Sequence, residues 1–382
     1  MGLPLGLVLA EQGLRVGLYD VDAGNVERVA RGEVPFQEPG AAELLQRTLA
    51  DGRVEVTGDP SVVSRAENVI VVVGTPIDAH MNPVAHVVPD VAEGISEHLR
   101  EGQLLVLRST VYPGVTALVE ALVERLGVDV DVAFCPERIA EGHALAELRE
   151  LPQIVAARTP AGVRRARALF EHLTDKIVEL SPEEAELAKL FTNAWRYIKF
   201  AAANQFFMIA NEYDLDFRRI RDALAYEYPR AADMPAAGFA AGPCLLKDTM
   251  QLAAFNNNNF SLGHVSMMIN EGIPLYVVSR LEKRYALPTM TVGLLGMAFK
   301  GESDDIRASL SYKLKHILAL KARSVLCTDP FVRVDPDLVP LDEVLDRADL
   351  LIVAAPHREY EHLPESIPLV DIWGLNGNGT RV

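Results

Sequence analysis

One cysteine stands where its thiol could act as a nucleophile. Gly242 and Pro243 precede Cys244, and a helix-compatible segment follows it. A thiol near a helix N-terminus meets unsatisfied backbone N–H groups and the positive end of the helix dipole, which favour the thiolate. Asp248 lies four residues on and would project from the same side one turn later. The pair could supply a nucleophile and a base or water-orienting group, or Cys244 could be a small core residue.

Lys189 and Asn193 form a second pair with the same spacing, inside a long alanine-rich segment. Neighbouring apolar residues such as Leu190 and Ala194 indicate a substantially buried helix, so both polar side chains need partners. In one interpretation the lysine reaches solvent and the asparagine packs against a neighbouring turn. In the other, a cation and an amide stabilise a developing oxyanion. Spacing alone leaves both open.

Glu137 and Glu141 form a third pair, four residues apart just after a predicted strand. Cys135, at the end of that strand, is interpreted as structural, as is Cys327 in a later strand. The three cysteines are far apart, without a CxxC pair or a Cys/His cluster. The pattern therefore predicts neither a disulfide framework nor a metal site.

Two kinds of element must position these side chains. Up to about residue 180, short β-branched runs alternate with helical patterns, which predicts a parallel sheet covered by helices. Ser181 and Pro182 then predict a helix N-cap and first position, and helices continue to about residue 286, interrupted at 229–243. The predicted strands are 15–19, 69–73, 104–108, 130–134 and 154–157, then 291–296, 324–327, 350–354 and 368–372.

The expected fold class is α/β, with two Rossmann-like parallel-sheet domains joined by a helical central domain that contains one long helix. The predicted domain boundaries are 1–180, 181–286 and 287–382. Polar or glycine-containing turns follow the strands at 74–76 and 109–110. In open α/β sheets that edge binds ligands.

Composition limits the classes of function. With 382 residues, 49% of them hydrophobic, the chain can build two or three domains. No apolar run approaches the ~18–20 residues that span a bilayer, and the first residues lack a signal peptide's positive charge. We therefore expect a soluble cytoplasmic protein without a membrane partner. The formal net charge of -16 argues against a general nucleic-acid surface.

Over nearly its whole length the sequence resembles the nucleotide-sugar 6-dehydrogenases, the UDP-glucose/GDP-mannose dehydrogenase family. Nine blocks match the family's successive signatures in the same order. They are VPFQEPG (34–40), VGTP (73–76), STVYPG (109–114), PERIAEG (136–142), KLFTN (189–193), GFAAGPCLLKD (238–248), GMAFKGESDDIRAS (296–309), TDP (328–330) and PHREY (356–360).

The resemblance implies an NAD-dependent, four-electron oxidation of a nucleotide sugar at C6, from alcohol to carboxylate, through an aldehyde and a cysteine thioester. By motif match Cys244 is the nucleophile. Lys189 would stabilise the oxyanions, with Asn193 donating a hydrogen bond beside it. A thiolate and a cation where negative charge forms are what this chemistry needs.

Three further matches concern water and protons. Asp248 and Thr110 correspond to groups that orient the water for proton transfer. Glu137 corresponds to the carboxylate implicated in thioester turnover. Together they would supply the base that the reaction also requires.

The resemblance also implies binding residues. Asp20 ends a predicted strand and matches the acid that binds the adenosine ribose hydroxyls, which favours NAD over NADP. Gly2 matches the third glycine of the dinucleotide fingerprint. Further matches near the dinucleotide are Thr75, Glu141 and Arg307. Matches for the nucleotide sugar are Lys300, the backbone around Phe239, and Arg230, which resembles an arginine that reaches a neighbouring subunit's site.

Two departures from the family pattern have consequences. Ala240 and Ala241 replace two glycines, for which we expect a modest effect on specificity. The first strand and two glycines of the fingerprint are expected upstream of Met1, with the translation start placed about ten residues late; without them the sheet would have a central gap and pyrophosphate binding would be poor. The long helix near 181–213 resembles the family's dimer-forming helix, so a homodimer is expected.

Three functions stay open. The first is a UDP-sugar 6-dehydrogenase of polysaccharide or glycoconjugate precursor synthesis. The second is a two-electron 3-hydroxyacid dehydrogenase of the 6-phosphogluconate type, disfavoured because such enzymes use no cysteine and lack a third α/β domain. The third is an inactive nucleotide-sugar-binding relic. The segment CLLKD is closer to UDP-glucose and GDP-mannose enzymes than to many N-acetylhexosamine enzymes, but the sugar stays open.

Overall fold

The structure, a computed structural model, describes residues 1–78, 81–376 and 382. These residues form two compact units, Met1–Thr192 and Asn193–Val382, and the boundary between them lies inside one long helix. The division into three domains at 1–180, 181–286 and 287–382 stays a prediction.

The first unit alternates helices and strands. Its helices are α1 (Gly2–Glu11), α2 (Ala23–Ala30), α3 (Ala41–Ala50), α4 (Val87–Gly94), α5 (Val115–Arg125), α6 (Ala144–Glu150) and α7 (Pro160–Phe170). Its strands are β1 (Val16–Tyr19), β2 (Val54–Thr57), β3 (Asn68–Val71), β4 (Leu104–Leu107), β5 (Asp131–Phe134), β6 (Gln153–Ala157) and β7 (Ile177–Leu180).

Helix α8 (Pro182–Glu212) crosses the boundary, and the second unit follows it. The other helices of that unit are α9 (Phe217–Ala225), α10 (Leu245–Phe255), α11 (Ser261–Arg284), α12 (Leu310–Ala319) and α13 (Leu341–Arg347). Its strands are β8 (Thr291–Leu295), β9 (Ser324–Thr328), β10 (Leu350–Val353) and β11 (Leu369–Asp371). Short 3-10 helices lie at Pro60–Arg65, Ser96–His98, Leu287–Thr289 and Arg358–Glu361.

The expected α/β class with Rossmann-like domains and a long central helix is confirmed, but the first unit's sheet differs in two details. Strands β1 and β2 form a parallel pair, while the other five form a separate sheet in the order β3-β4-β5-β6-β7. Within the described ranges, β1 and β3 each pair with one strand. Strand β6 runs antiparallel to β5. Helix α6, only seven residues long, spans about 10 Å and is too short to carry the chain back across the sheet.

The beginning of α8 is fixed by its sequence. Ser181 N and Oγ donate to Glu184 Oε2 at 2.8 and 2.9 Å, and Glu184 N donates to Ser181 Oγ at 3.3 Å, a capping box. One turn later the buried Glu186 accepts from Gly114 N, Thr116 N and Thr116 Oγ1 at 2.6–2.9 Å. A carboxylate there caps α5, so the first turns of α8 are tied to the first unit.

In the second unit the sheet is parallel throughout, in the order β11-β10-β8-β9. Its inner face and the central helices share one hydrophobic cluster, which runs from Phe207 and Ile273 on the helices to Leu294 and Ile352 on the strands. The helical region and the last sheet therefore pack as one body.

Among the described residues, no helix combines the length and apolar composition needed to cross a lipid bilayer.

Candidate active site

In the first unit, predicted site residues follow the carboxyl ends of strands. Asp20 follows β1, Thr75 lies after β3 and Thr110 lies after β4. Ser109 Oγ accepts from Val73 N and donates to Val73 O, both at 2.7 Å, so the turns after β3 and β4 are held together. This is the edge at which open α/β sheets bind ligands.

Glu137 follows β5 and is buried. Its carboxylate accepts four hydrogen bonds. Oε2 accepts from Arg108 Nε at 2.9 Å and from Arg108 Nη2 at 2.5 Å. Oε1 accepts from Arg138 N at 2.8 Å and from Ile139 N at 3.2 Å. The side chain therefore holds both the arginine and the first residues of its own loop.

Arg108, which sequence reasoning missed, is only 1% exposed. Besides Glu137, it donates to Cys135 O and Gln153 Oε1, each at 3.0 Å, and its guanidinium lies over the Phe170 ring. A signal for it does exist in the sequence. Arg108 directly follows the apolar run LLVL (104–107), so its guanidinium is expected to be buried. A buried guanidinium requires a carboxylate partner.

Glu141 lies further along the same loop, between β5 and α6. Because the loop is not helical, the four-residue spacing from Glu137 does not place both carboxylates on one face. The neighbouring Gly142 N donates to Glu38 Oε2 at 3.0 Å, and Leu145 N donates to Glu38 Oε1 at 3.2 Å. Glu38, in the VPFQEPG block, thus holds the end of the loop at the start of α6.

The first unit contains groups that fit a dinucleotide. Gly2 is the first residue of α1, where the N-cap Met1 supplies no side-chain acceptor and the first turn has no acidic residue. Backbone N–H groups at such a helix start suit a pyrophosphate. Asp20 is exposed at the end of β1, and its carboxylate suits ribose hydroxyls. These residues are of the types that NAD requires.

In the second unit, Cys244 is exposed and is the N-cap residue of α10. The predicted place of this thiol at a helix N-terminus is confirmed. Cys135 and Cys327 are buried, as predicted; burial raises the pKa of Cys135 to about 12 and that of Cys327 to about 11. The protein therefore has one accessible and two inaccessible thiols.

Asp248, one turn along α10, is 1% exposed. Its Oδ2 accepts from Asn193 Nδ2 on α8, and its Oδ1 accepts from Lys247 Nζ, both at 2.5 Å. Sequence reasoning missed this role of Lys247 because adjacent helix positions usually point apart. Lys189, one turn before Asn193 on α8, is buried as well.

Two glycines shape the segment before Cys244. Gly238 has φ +149 and Gly242 has φ +101, and a Cβ would come within 2.4 Å of the Trp373 ring at the first and 2.7 Å of the Phe299 ring at the second. Between them, Phe239 is buried with its ring edge-on to Trp373. The segment is therefore closely packed on both sides.

Ala240 and Ala241 fit this segment without backbone strain. Neither is among the described residues with positive φ. Ala240 is buried in a small cluster with Tyr197 and Leu245, and Ala241 packs against the main cluster. The two methyl groups are thus accommodated by the packing.

Lys300 and Arg307 lie in the loop between β8 and α12. Lys300 Nζ lies 5.5 Å from the centre of the Phe299 ring. Arg307 is exposed, and its Nε and Nη2 donate to Asp305 Oδ2 at 2.9 and 2.7 Å. These two cations are on the segment that the family resemblance assigns to ligand binding.

A buried Asp–His pair holds the start of that loop. Asp329 Oδ2 accepts from Met297 N and Ala298 N at 2.7 and 2.9 Å. His357 Nδ1 accepts from Glu302 N at 3.0 Å, so Nε2 carries the proton and donates to Asp329 Oδ2 at 3.1 Å. Burial alone would raise the pKa of Asp329, but the His357 hydrogen bond and backbone donors lower it to about 2.

Arg230 lies in the segment between α9 and α10 and is exposed. Its Nε donates to Tyr228 Oη at 2.7 Å, and its guanidinium stacks over the same ring at 4.5 Å. The tyrosine therefore fixes the direction of the arginine.

Comparison with known proteins identifies the family. Three domain models of the UDP-glucose/GDP-mannose dehydrogenase family match the chain in order: the NAD binding domain over residues 1–174, the central domain over 183–271 and the UDP binding domain over 293–371. The chain belongs to this family. The dehydrogenase is accordingly an NAD-dependent oxidoreductase that acts on nucleotide sugars, and the expected cofactor, NAD, is confirmed.

Individual relatives agree. The UDP-N-acetyl-D-mannosamine dehydrogenase of Pyrococcus horikoshii is 28% identical over 373 residues, which cover 94% of this chain and 88% of the relative. A solved structure of UDP-D-ManNAc dehydrogenase from Pyrococcus horikoshii superposes with a TM-score of 0.91 at 26% identity, covering 98% of this chain and 93% of that one. A UDP-glucose dehydrogenase from Pyrobaculum islandicum gives 0.91 at 27% identity, covering 97% and 91%.

Proposed function

We propose that this enzyme oxidises the C6 alcohol of a UDP-hexose to a carboxylate, a four-electron reaction, through a thioester on Cys244. The observation that carries the proposal is an exposed thiol at the N-cap of α10, followed one turn later by a buried carboxylate. A two-electron alcohol oxidation needs no nucleophile, whereas oxidation of an aldehyde to an acid gains from one.

The cysteine's part follows from the chemistry. NAD, when bound, accepts a hydride in each of the two oxidations. Between them the Cys244 sulfur adds to the C6 aldehyde carbon, a C–S bond forms, and the carbonyl oxygen takes up a proton to give a thiohemiacetal. Oxidation of this adduct leaves a thioester. Water then adds to the carbonyl carbon, the C–S bond breaks, the acid is released and the sulfur regains its proton.

We assign the other residues of the catalytic match to charge stabilisation and to water. Lys189 supplies a cation for the oxyanions that form when the sulfur or water adds. Asn193 holds Asp248 by donating to Oδ2, so the carboxylate keeps one orientation. We assign Asp248 and Thr110 to the orientation of water, as the family match implies. We assign Glu137 to thioester turnover, acting through the loop that it anchors.

The ligand-binding residues are assigned by their match to the sequence blocks of the family. Gly2, Asp20, Thr75, Glu141 and Arg307 contact the dinucleotide. Phe239 and Lys300 contact the nucleotide sugar, together with Arg230 of the neighbouring subunit.

The first substrate to test is UDP-N-acetyl-D-mannosamine, because relatives that match most of the chain carry that name. UDP-glucose is the second substrate to test. The Pyrobaculum islandicum structure that superposes on this chain is a UDP-glucose dehydrogenase, and the segment CLLKD contains the Lys-Asp pair. NADH formation is measured with these two, UDP-N-acetylglucosamine and GDP-mannose. The expected result is turnover of a UDP-hexose; turnover of GDP-mannose alone would contradict the proposed substrate class.

The quaternary structure we propose is a homodimer through α8. Trp195 and Ile209 are 56% and 51% exposed and lie on one side of the helix, and Tyr213, directly after its last residue, is 74% exposed. On α11, Val265 and Met268 are also exposed. An apolar surface of this kind needs a partner, and a second copy would cover both helices by symmetry.

Light scattering tests the dimer. Ile209→Glu is expected to convert it to a monomer. Leu320→Glu, at a leucine that directly follows α12 and is 85% exposed, is the matched control and is expected to stay dimeric. A monomeric wild-type protein would refute the assignment.

The other two functions are separated by simple outcomes. A two-electron 3-hydroxyacid dehydrogenase would form one NADH per substrate and would not need Cys244. An inactive relic would bind the nucleotide sugar without turnover, and a titration with NAD would detect no binding.

A further inference from the structure

We infer that Asn204 and Asn270 are positioning residues that hold the cysteine-bearing segment 238–244 in its reactive place. The inference rests on the proposed role of Cys244. Neither asparagine belongs to a block in which the sequence suggested chemistry. Both are completely buried in the helical part of the second unit, on α8 and α11 respectively.

The two side chains form a chain of hydrogen bonds that ends on this segment. Asn204 Oδ1 accepts from Gly238 N at 2.9 Å, and Asn204 Nδ2 donates to Asn270 Oδ1 at 3.0 Å. Asn270 Nδ2 donates to Tyr197 O at 3.1 Å. Each amide therefore uses its oxygen and its nitrogen, and the orientation of both is fixed by the directions of the bonds.

The far end of the segment has its own anchor. Gly242 N donates to Ala308 O at 3.4 Å, and Ala308 holds a left-handed φ of +52. A non-glycine residue in that conformation is strained and persists where the surroundings require it. The segment is thus held at Gly238 by the asparagines and at Gly242 by this carbonyl, and Cys244 follows two residues later.

Stability alone does not explain a buried amide pair. Replacing both partners of a buried hydrogen bond with apolar groups of similar shape can be nearly neutral. What a fully satisfied polar pair adds is a single geometry, because any shift leaves a buried donor or acceptor without its partner. A displacement of about 1 Å at a reacting group can reduce the rate of an enzyme about 100-fold. The pair therefore acts on the position of the thiol.

Asn204→Leu tests the inference, with Asn211→Leu as a matched control. Asn211 is a buried asparagine on the same helix whose Nδ2 donates to Phe207 O and whose Oδ1 accepts from Val382 N. Its loss also leaves buried groups unpaired but does not touch the segment. Full-length proteins are compared at a temperature at which circular dichroism shows all of them folded.

Two quantities are measured: amide hydrogen exchange of the peptide 236–244, and kcat for NADH formation. Asn204→Leu is expected to speed exchange in this peptide at least 10-fold and to lower kcat at least 10-fold. Asn211→Leu is expected to change both by less than twofold. Asn204→Asp keeps an acceptor for Gly238 N in either protonation state and is expected to restore slow exchange and most of kcat.

Each contrary result has a distinct meaning. Unchanged exchange in Asn204→Leu, or equal effects of Asn211→Leu, would overturn the inference, and so would fast exchange with an unchanged kcat. If Asn204→Leu does not fold, Asn204→Asp is compared with Asn270→Leu. Only Asn270→Leu removes the side chain that accepts a hydrogen bond from residue 204. A wild-type protein that forms no NADH would refute the proposed function, while the exchange result would still report on the anchor.

Discussion

Two segments of the molecule carry a predicted catalytic carboxylate, and they are held in opposite ways. In the first unit, Glu137 is buried with an arginine, and backbone N–H groups occupy its other oxygen. In the second, Asp248 receives one side-chain donor on each oxygen, beside an exposed thiol. A carboxylate shared between a buried arginine and backbone N–H groups therefore holds a loop in place, whereas a carboxylate held only by side chains, one of them the partly exposed Lys247, can exchange a partner for water.

Asp329 belongs with Glu137 in this comparison. Its oxygens accept from backbone groups of two loops and from His357, so it too serves as an anchor. The loops predicted to bind ligands in both sheets thus depend on buried carboxylates, whereas the central segment has its buried carboxylate one turn from the exposed thiol of Cys244, the proposed nucleophile.

The largest effect is expected from the nucleophile. Cys244→Ala is expected to lower acid formation at least about 10³-fold, because the aldehyde cannot be captured as a thiohemiacetal. The assay is NADH release with quantified uronate. Cys327→Ala, which removes a buried thiol from β9, is the control and is expected to retain activity. A Cys244→Ala enzyme that forms acid at the wild-type rate would refute the thioester mechanism.

The anchor in the first unit is tested by Arg108→Met. Removing one partner leaves a buried carboxylate without its countercharge, so the free energy of unfolding is expected to fall by about 3–5 kcal/mol. Urea denaturation measures it. The variant with both Arg108→Met and Glu137→Leu is expected to lose less than the sum of the two single losses.

A surface ion pair provides the control for that measurement. Arg167 pairs with Glu179 at 2.6 Å, with both side chains almost half exposed. Arg167→Met is expected to cost less than about 1 kcal/mol. Equal losses for Arg108→Met and Arg167→Met would show that Glu137 is not an anchor.

For Asp248 we expect a large loss of activity and only a small loss of stability. Asp248→Asn is expected to lower kcat about 100-fold, because an amide cannot take a proton from water. Stability is expected to change by only about 1 kcal/mol, since Lys247 is partly accessible to solvent. Steady-state kinetics and urea denaturation of the same preparation give both values. A large stability loss with little effect on kcat would place Asp248 among the anchors.

The smallest expected effect is a loss of folding stability at low pH. The pKa of Asp329 is lowered from 3.8 to about 2 in the folded protein. Its ionised form therefore contributes stability above about pH 4, and about 2 kcal/mol is expected to be lost as the pH falls to about 2. The stability gap between the wild type and Asp329→Asn should shrink by that amount from pH 5 to pH 2. A constant gap for Asp329→Asn would refute its anchoring role.

Local features of the fold were predictable from the sequence. The capping box at Ser181, the long helix and the thiol at the start of α10 all follow from residues within a few positions of one another. The strand Val54–Thr57 was missed because its alternation is short, and the split of the first sheet depends on which strands pair, which local patterns do not encode.

The supporting contacts of the site were much harder to predict. Asn193 and Asp248 are separated by 55 residues, Asn204 and Asn270 by 66, and Arg108 and Glu137 by 29. Each polar residue stands in an apolar setting, so its need for a partner can be inferred. The partner's identity depends on the packing of distant elements.

The most direct test of the central claim is the number of NADH molecules formed per molecule of UDP-hexose consumed to completion. We expect two, with a uronate as the only sugar product and no accumulated aldehyde. Formation of one NADH per sugar, with an aldehyde or ketone as the product, would contradict a four-electron oxidation through Cys244.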